Sequence, residues 1–473
     1  MRYLLLSFFL ILSCAAHAQK VKIRGTVKNF TSDTISIKYN DSRLIYLPRD
    51  FTAKLDKEGN FSTEITVPDG AYTQAELKQG RHIADVILQP GDNISVIVDA
   101  AHFDSTIHYS GKGSAIQNFI AKRTIERGRL NQYPLKIKPY LEKGYLEFEA
   151  GLKSEEDKEL KFITDNKEGL PTSFIKYLQA YYKYYNYFFL GQYPQSHELA
   201  ILKRYTDTIP QENYRLIKDM PYAYNDSLIQ VTPYLLYLTE VTEVKLRANG
   251  FNFPNEDTTR RVELEDSVVT RAYRMMPPAT ASYFIAQLIY ARAKYQRINE
   301  IEKLLAQYKE HFPQSEYMPL LEKQVAMARS LSPGQPTPDI DIRSAEGIPM
   351  KLSDLKGKVV YLEFWAEWSR QSAGEMISEA RWKPQLADKP VAFVYVSIGS
   401  DTLKDKALIK RYKINGYFAN ASGSWASKEA TAYGVQQLPA YFLIDEEGKF
   451  AIQTPPTPGK SDALIAEIEK LIK

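Results

Sequence analysis

Two hydrophobic periodicities succeed one another along the chain. From about Lys20 to Ala100, residues such as Val21, Ile23 and Val27, then Ile35, Ile37 and Tyr39, alternate with polar neighbours. A period of two places them on one side of half-buried strands. Asp56-Lys57-Glu58-Gly59 is a turn signal ahead of a strand carrying Phe61, Thr63 and Ile65. Pro90-Gly91-Asp92-Asn93 is another, between Val86–Leu88 and Ile94–Val98. Short strands punctuated in this way predict an antiparallel β-sandwich or barrel over residues 20–110.

From Ser114 to about Leu331 the period lengthens to that of a helix, predicting an all-α middle over 114–331. Ile301, Leu304, Leu305 and Tyr308 form one stripe; Tyr317, Leu320, Leu321 and Val325 form the next, with Phe312-Pro313 between them. The pair reads as an αα-hairpin. Gly169-Leu170-Pro171, Tyr193-Pro194, Ile209-Pro210, Asn249-Gly250 and Pro277-Pro278 read as breaks between helices. One helix is aromatic on two faces, Tyr177, Tyr181, Tyr184 and Phe188 on one and Tyr182, Tyr185 and Phe189 on another. Such a helix is expected to be buried among its neighbours; the alternative is a platform for a glycan or peptide.

Ser332 to Asp339 holds three prolines and reads as a semi-extended linker, 332–339. Beyond it, the buried-strand runs Val359–Phe364, Ala392–Ile398 and Ala440–Ile444 alternate with helical stretches, and Leu464, Ile465, Ile468 and Ile472 mark a last helix. The whole is a multidomain α+β chain whose last part, 340–473, is an α/β domain.

A length of 473 residues is too great for a single core. The net charge of +4 is spread among intermixed acids and bases, so nucleic acid is not an expected partner. At the N-terminus Arg2 precedes the apolar run Leu4–Leu12 and the small-residue site Ala16-His17-Ala18, which predicts a signal peptide at 1–18. Ile11-Leu12-Ser13-Cys14 also resembles a lipoprotein box, in which a lipid on Cys14 would be the one attachment to a membrane. Both readings export the chain to the periplasm or cell envelope. Both also remove its only cysteine, so the mature protein is expected to hold neither thiol nor disulfide.

Metal and cofactor sites are not expected. His102, Asp104 and His108 match no zinc spacing and read as a solvated connection. Gly111-Lys112-Gly113-Ser114 lacks the upstream glycine of a phosphate-binding loop, and Ser114 reads instead as a helix N-cap.

The most informative string is Trp365 to Ser372, W-A-E-W-S-R-Q-S. With Leu352-Ser353-Asp354-Leu355-Lys356-Gly357-Lys358, Val394-Tyr395-Val396-Ser397, Tyr433 to Pro439 and Leu443 to Lys449, it resembles the TlpA-like branch of the thioredoxin superfamily, exported thiol–disulfide oxidoreductases. The resemblance implies a thioredoxin-like fold, a former CxxC at Ser369 and Ser372, a buried acid at Glu363 and a cis-proline at Pro439. It also implies Gram-negative envelope proteins with a β-rich N-terminal domain.

Disulfide exchange needs a thiolate to attack and a second thiol to resolve. A hydroxyl is far less acidic and forms no sulfur–sulfur intermediate. A serine nucleophile would need a general base, and the six histidines, at 17, 82, 102, 108, 197 and 311, all precede this segment. No catalytic residue is therefore assigned. Ser369 is expected to cap the following helix, and Glu363 to be a relic held by a hydrogen bond or water. Trp368, Leu438 and Pro439 are expected to retain an apolar face for an extended peptide or an envelope protein. The favoured function is a redox-inactive binding or scaffold module. The alternatives are an oxidoreductase, as the resemblance implies, and glycan or peptide binding through the tyrosine-rich helix.

Overall fold

The alternation of the first hundred residues becomes eight strands: β1 Lys20–Lys28, β2 Thr34–Asn40, β3 Pro48–Lys54, β4 Asn60–Thr66, β5 Thr73–Gln79, β6 His82–Leu88, β7 Asn93–Asp99 and β8 His108–Lys112. They form two four-stranded sheets, ordered β4-β1-β7-β8 and β3-β2-β5-β6. The residues predicted to face inward from both sheets share one core, with Val21, Ile23 and Val27 meeting Ile35, Ile37, Leu77 and Val86. This is a sandwich. Its pairing is antiparallel except between β1 and β7, which run parallel with Ile23 opposite Ile94. That pair was not legible in the alternation, which is the same in either direction.

The computed structural model describes residues 20–40, 44, 48–68, 72–202, 224–241, 268–293, 298–399, 401–421, 424–452 and 455–472. The expected leader at 1–18, with Cys14, and the expected breaks at Ile209-Pro210 and Asn249-Gly250 lie outside them.

Helices of eight or more residues, among the described residues, are α1 Ser114–Arg127, α2 Tyr145–Asp165, α3 Thr172–Leu202, α4 Pro278–Arg292, α5 Ile298–His311, α6 Met318–Ser330, α7 Arg370–Trp382, α8 Thr402–Arg411 and α9 Ser461–Leu471. None of the described helices is long and apolar enough to cross a membrane. Two expectations about helix ends need correction. Tyr193-Pro194 does not break α3. The Tyr193 ring lies 4.4 Å from Phe148 and 4.8 Å from His197, and its hydroxyl donates to the Lys143 carbonyl at 2.7 Å. Contacts on both sides of the proline thus hold a turn that has lost one backbone bond. At α1 the cap is Gly113 rather than Ser114. Gly113 has a φ of 97°, and a Cβ there would fall 2.6 Å from the Asp92 carboxylate, so the chain enters this helix through a conformation open to glycine.

The chain divides into two compact units, Met1–Phe284 and Ile285–Lys473, a division that falls within α4 rather than at residue 331. In the first unit the sandwich and the helices that follow are joined. Gln117 of α1 closes a buried pair of hydrogen bonds with the backbone of Ile87, at 3.0 and 2.6 Å. The α5–α6 hairpin forms as predicted, with Ile301, Leu304, Tyr308, Leu321 and Val325 buried, but it belongs to the second unit.

The second unit is built on a seven-stranded sheet, ordered β10-β9-β13-β12-β11-β14-β15. Its strands are β9 Asp341–Arg343, β10 Pro349–Lys351, β11 Val359–Trp365, β12 Val391–Ser397, β13 Tyr417–Asn420, β14 Ala440–Ile444 and β15 Phe450–Ile452. Central β11 is buried throughout, parallel to β12 and antiparallel to β14. Its two sides enter separate cores: Val360, Leu362 and Phe364 meet Tyr433 and Phe450, whereas Val359, Tyr361 and Trp365 meet Met376 and Trp382 of α7 and Leu464 and Ile468 of α9. The proline-rich 332–339 stretch begins in a turn, with Gln335 N–H donating to Ser332 O at 3.1 Å, and is pinned within this unit rather than semi-extended throughout. Gly334 N–H donates to Phe450 O at 2.7 Å, Phe450 N–H to Gln335 O at 2.9 Å, and Thr337 N–H to Gly448 O at 3.1 Å.

Candidate functional site

The loop Ala366 to Ser369 joins buried β11 to α7, so it sits where a parallel strand ends and a helix begins. Ser369 is the N-cap, with extended backbone angles (φ −85°, ψ 104°). Its Oγ accepts from the Ser372 N–H at 3.2 Å and from the Ser372 hydroxyl at 3.0 Å. Both serines are buried. The cap predicted for Ser369 is present, and the second hydroxyl of the former CxxC is turned onto the first. Free N–H groups at this helix start would stabilise an anion, but a hydroxyl here stays protonated.

Behind the serines, α7 presents Ser372, Met376, Glu379 and Trp382 as its buried face. Glu363 of β11 is fully buried, and its register partners on the two flanking strands are Tyr395 and Tyr441. Neither Glu363 oxygen has a hydrogen-bond partner among the protein's own groups, so of the expected hydrogen bond or water the protein supplies no direct bond. Burial pushes its pKa well up, the charges of Glu379 and Glu375 add to this, and Lys383 opposes it. Burial and the neighbouring acids thus favour the protonated form of Glu363.

Glu379 is better served. It accepts from the Tyr395 hydroxyl and pairs with Lys383 at 3.2 Å. Burial raises its pKa, while Lys383 and Tyr395 pull it down. The Lys383 ammonium donates to the Tyr395 hydroxyl at 2.7 Å and lies 4.0 Å from the Phe393 ring centroid. Burial lowers its pKa, and Glu379 works against that. Sequence reading missed this cluster. Its signal was Glu379, seven residues after Ser372 on the apolar stripe of a helix.

The expected binding face is present in part. Trp368 is 53% exposed and Leu438 is half-buried, but Pro439, which follows a cis peptide bond, is buried and offers no apolar surface of its own. The exposed aromatic surface is enlarged instead by Trp425, 41% exposed, whose ring centroid lies 6.0 Å from that of Trp368. Trp425 belongs to a short 3-10 turn, Ser424–Ala426, well beyond Trp368 in the chain, and no local pattern marks it.

Other candidates separate cleanly. His102, Asp104 and His108 are all exposed, and His108 belongs to β8, in register with Ile97, rather than to the connection. Among the described residues no group of three or more His, Cys, Asp or Glu could hold a metal ion. Tyr177, Tyr181, Tyr182 and Tyr184 are buried, and Tyr185, Phe188 and Phe189 are half-buried, so the aromatic helix is a core element.

Residues 332–463 match the Redoxin family model. The chain is 31% identical over 120 residues to the thiol-disulfide oxidoreductase ResA of Bacillus thuringiensis, covering 25% of this chain and 68% of that protein. It is 29% identical over 144 residues to ResA of Bacillus subtilis, covering 30% of this chain and 78% of that protein. With other Bacillus relatives the shared stretch is 65% of their length. Among solved structures, the thioredoxin domain of a thiol-disulfide oxidoreductase from Bacteroides vulgatus aligns over its full length and 30% of this chain, at 23% identity and a TM-score of 0.28. Through its C-terminal redoxin domain, the chain belongs to the ResA- and TlpA-like family of thiol-disulfide oxidoreductases.

Proposed function

We propose that this protein is an exported, redox-inactive member of its family, which binds an extended peptide or protein in the cell envelope through the surface around Trp368. The observation that carries the reading is the Ser369–Ser372 pair: both positions that would carry sulfur are hydroxyls engaged with each other. The only cysteine, Cys14, lies in the expected leader. Composition and local geometry together support the redox-inactive reading.

Support for binding comes from the exposed pair Trp368 and Trp425. Each ring leaves about half of its surface in water, and apolar surface of this kind is favourable to cover. Half-buried Leu438 extends the surface beside the proline loop. Location in the envelope rests on the leader sequence.

Two measurements test the proposal. Insulin reduction by the purified protein should equal a thiol-free control, and any turnover above it ends the redox-inactive reading. Pull-down from envelope extract should recover a partner with wild type and lose it with a Trp368→Ala, Trp425→Ala variant. Recovery of the same partners by both proteins would remove this face from the function.

A further inference from the structure

A cavity of about 570 Å³ opens between α8 and the C-terminal ends of β12 and β13. Its lining residues include half-buried Phe418 and the almost fully buried Trp365 and Tyr395, together with Ser397, Asn420 and Asp405. That volume suits a small organic ligand.

Asp405 is the unusual member. It is 5% exposed, and neither carboxylate oxygen has a partner in good hydrogen-bond geometry, the Ser397 hydroxyl being the near polar group that draws its pKa down. A buried carboxylate without a partner is costly, and proteins ordinarily pair it or neutralise it. The two cations that also border the cavity do neither. Arg343 donates to the Gly347 carbonyl at 3.0 Å, and Lys406 is exposed. A second acid adds to the negative field: Glu367 Oε2 is also buried without a partner. It lies against Gly399, where a Cβ would fall 1.7 Å from it and the flexible end of Glu367 would have to shift. The Ser397 hydroxyl accepts from Gly399 N–H at 3.1 Å. Burial raises the pKa of Asp405, Ser397 opposes, and Glu367 and Asp401 add to the rise, as expected where negative groups gather without a cation.

We propose that this cavity binds a ligand bearing an ammonium or guanidinium group, with the cation seated against Asp405 and its alkyl stem along the aromatic walls. A cation neutralises the carboxylate, and ring faces favour it further. The same chemistry is offered by a free amine and by the basic side chain of a peptide. The inference stands independently of the peptide-binding face around Trp368.

Titration calorimetry on the purified protein tests this with agmatine, n-butylammonium, neutral n-butanol, and a lysine-containing pentapeptide beside its norleucine counterpart. The expected result is binding of the cationic probes, weakened roughly tenfold or more by Asp405→Asn, with n-butanol and the norleucine peptide far weaker. Preference for agmatine identifies a free amine as the source; preference for the lysine peptide identifies a side chain. Absence of binding by every cationic probe up to about 10 mM overturns the proposal. So does equal affinity in an Asp405→Asn protein with an intact melt, or n-butanol binding as tightly as n-butylammonium. Should Asp405→Asn lose its cooperative melt, the wild-type comparison of those last two probes decides the matter.

Discussion

The Ser372 hydroxyl donates to the Ser369 hydroxyl across 3.0 Å, inside the first turn of α7. The two positions that the resemblance assigns to a CxxC are thus in contact, with hydroxyls in place of sulfur.

Restoring sulfur should therefore restore a bond. A disulfide needs sulfurs about 2.05 Å apart with modest backbone adjustment, and the two side chains already meet. The Ser369→Cys, Ser372→Cys protein is expected to close an intramolecular disulfide on mild oxidation, read by mass mapping of the peptide before and after reduction. Two persistent free thiols would show that the turn no longer supports the family's bond.

The cap itself should be measurable. Ser369→Ala removes the acceptor for the Ser372 N–H and should cost about 1 kcal/mol in urea unfolding. Ser372→Ala leaves that cap in place and should cost less. The reverse order would mean that the buried Ser372 hydroxyl, rather than the cap, stabilises this turn.

Glu363 should make stability fall toward alkaline pH. Its pKa in the folded protein is raised above the ordinary 4.5, so between those values the folded state holds the proton that the unfolded state has released. The penalty is absent below about pH 4.5 and grows as pH rises through the window up to the folded value. Glu363→Gln mimics the protonated acid. It should match wild type near pH 4 and exceed it near pH 8 in thermal melts, with a flatter profile between. Parallel profiles would show that Glu363 is not the group responsible.

The first unit should respond in the opposite sense. Glu159, buried, meets Arg123 at 3.0 Å, Arg127 at 3.0 Å and Lys136 at 2.8 Å. Burial pushes its pKa up, but those cations outweigh it and hold it below 4.5. Its stabilisation is complete above pH 4.5 and is lost as pH falls through the lowered folded value. Glu159→Gln leaves Arg123 buried without its counter-charge and should cost about 3–5 kcal/mol. Lys153→Ala, which breaks only an exposed pair with Asp157, should cost about 0–1 kcal/mol. Equal losses would make the cluster no more than a surface network.

Much of this protein is determined locally and was legible from the residues. Alternation in Val21, Ile23 and Val27 and the unbroken apolar run of β11 set strand faces, because side chains point to fixed sides of a strand. The W-A-E-W-S-R-Q-S string predicted the helix cap at Ser369, because a cap depends on residue type and on one turn of helix. Tertiary structure alone decided the rest. Pro194 stays inside a helix because Phe148, Lys143 and His197 hold the residues around it. Trp425 joins Trp368, and Asp405 reaches its cavity, through loops and strands distant in sequence. The charge state of Glu363 follows from what surrounds it in three dimensions, since burial and neighbouring acids, rather than the residue itself, set the cost of its ionisation.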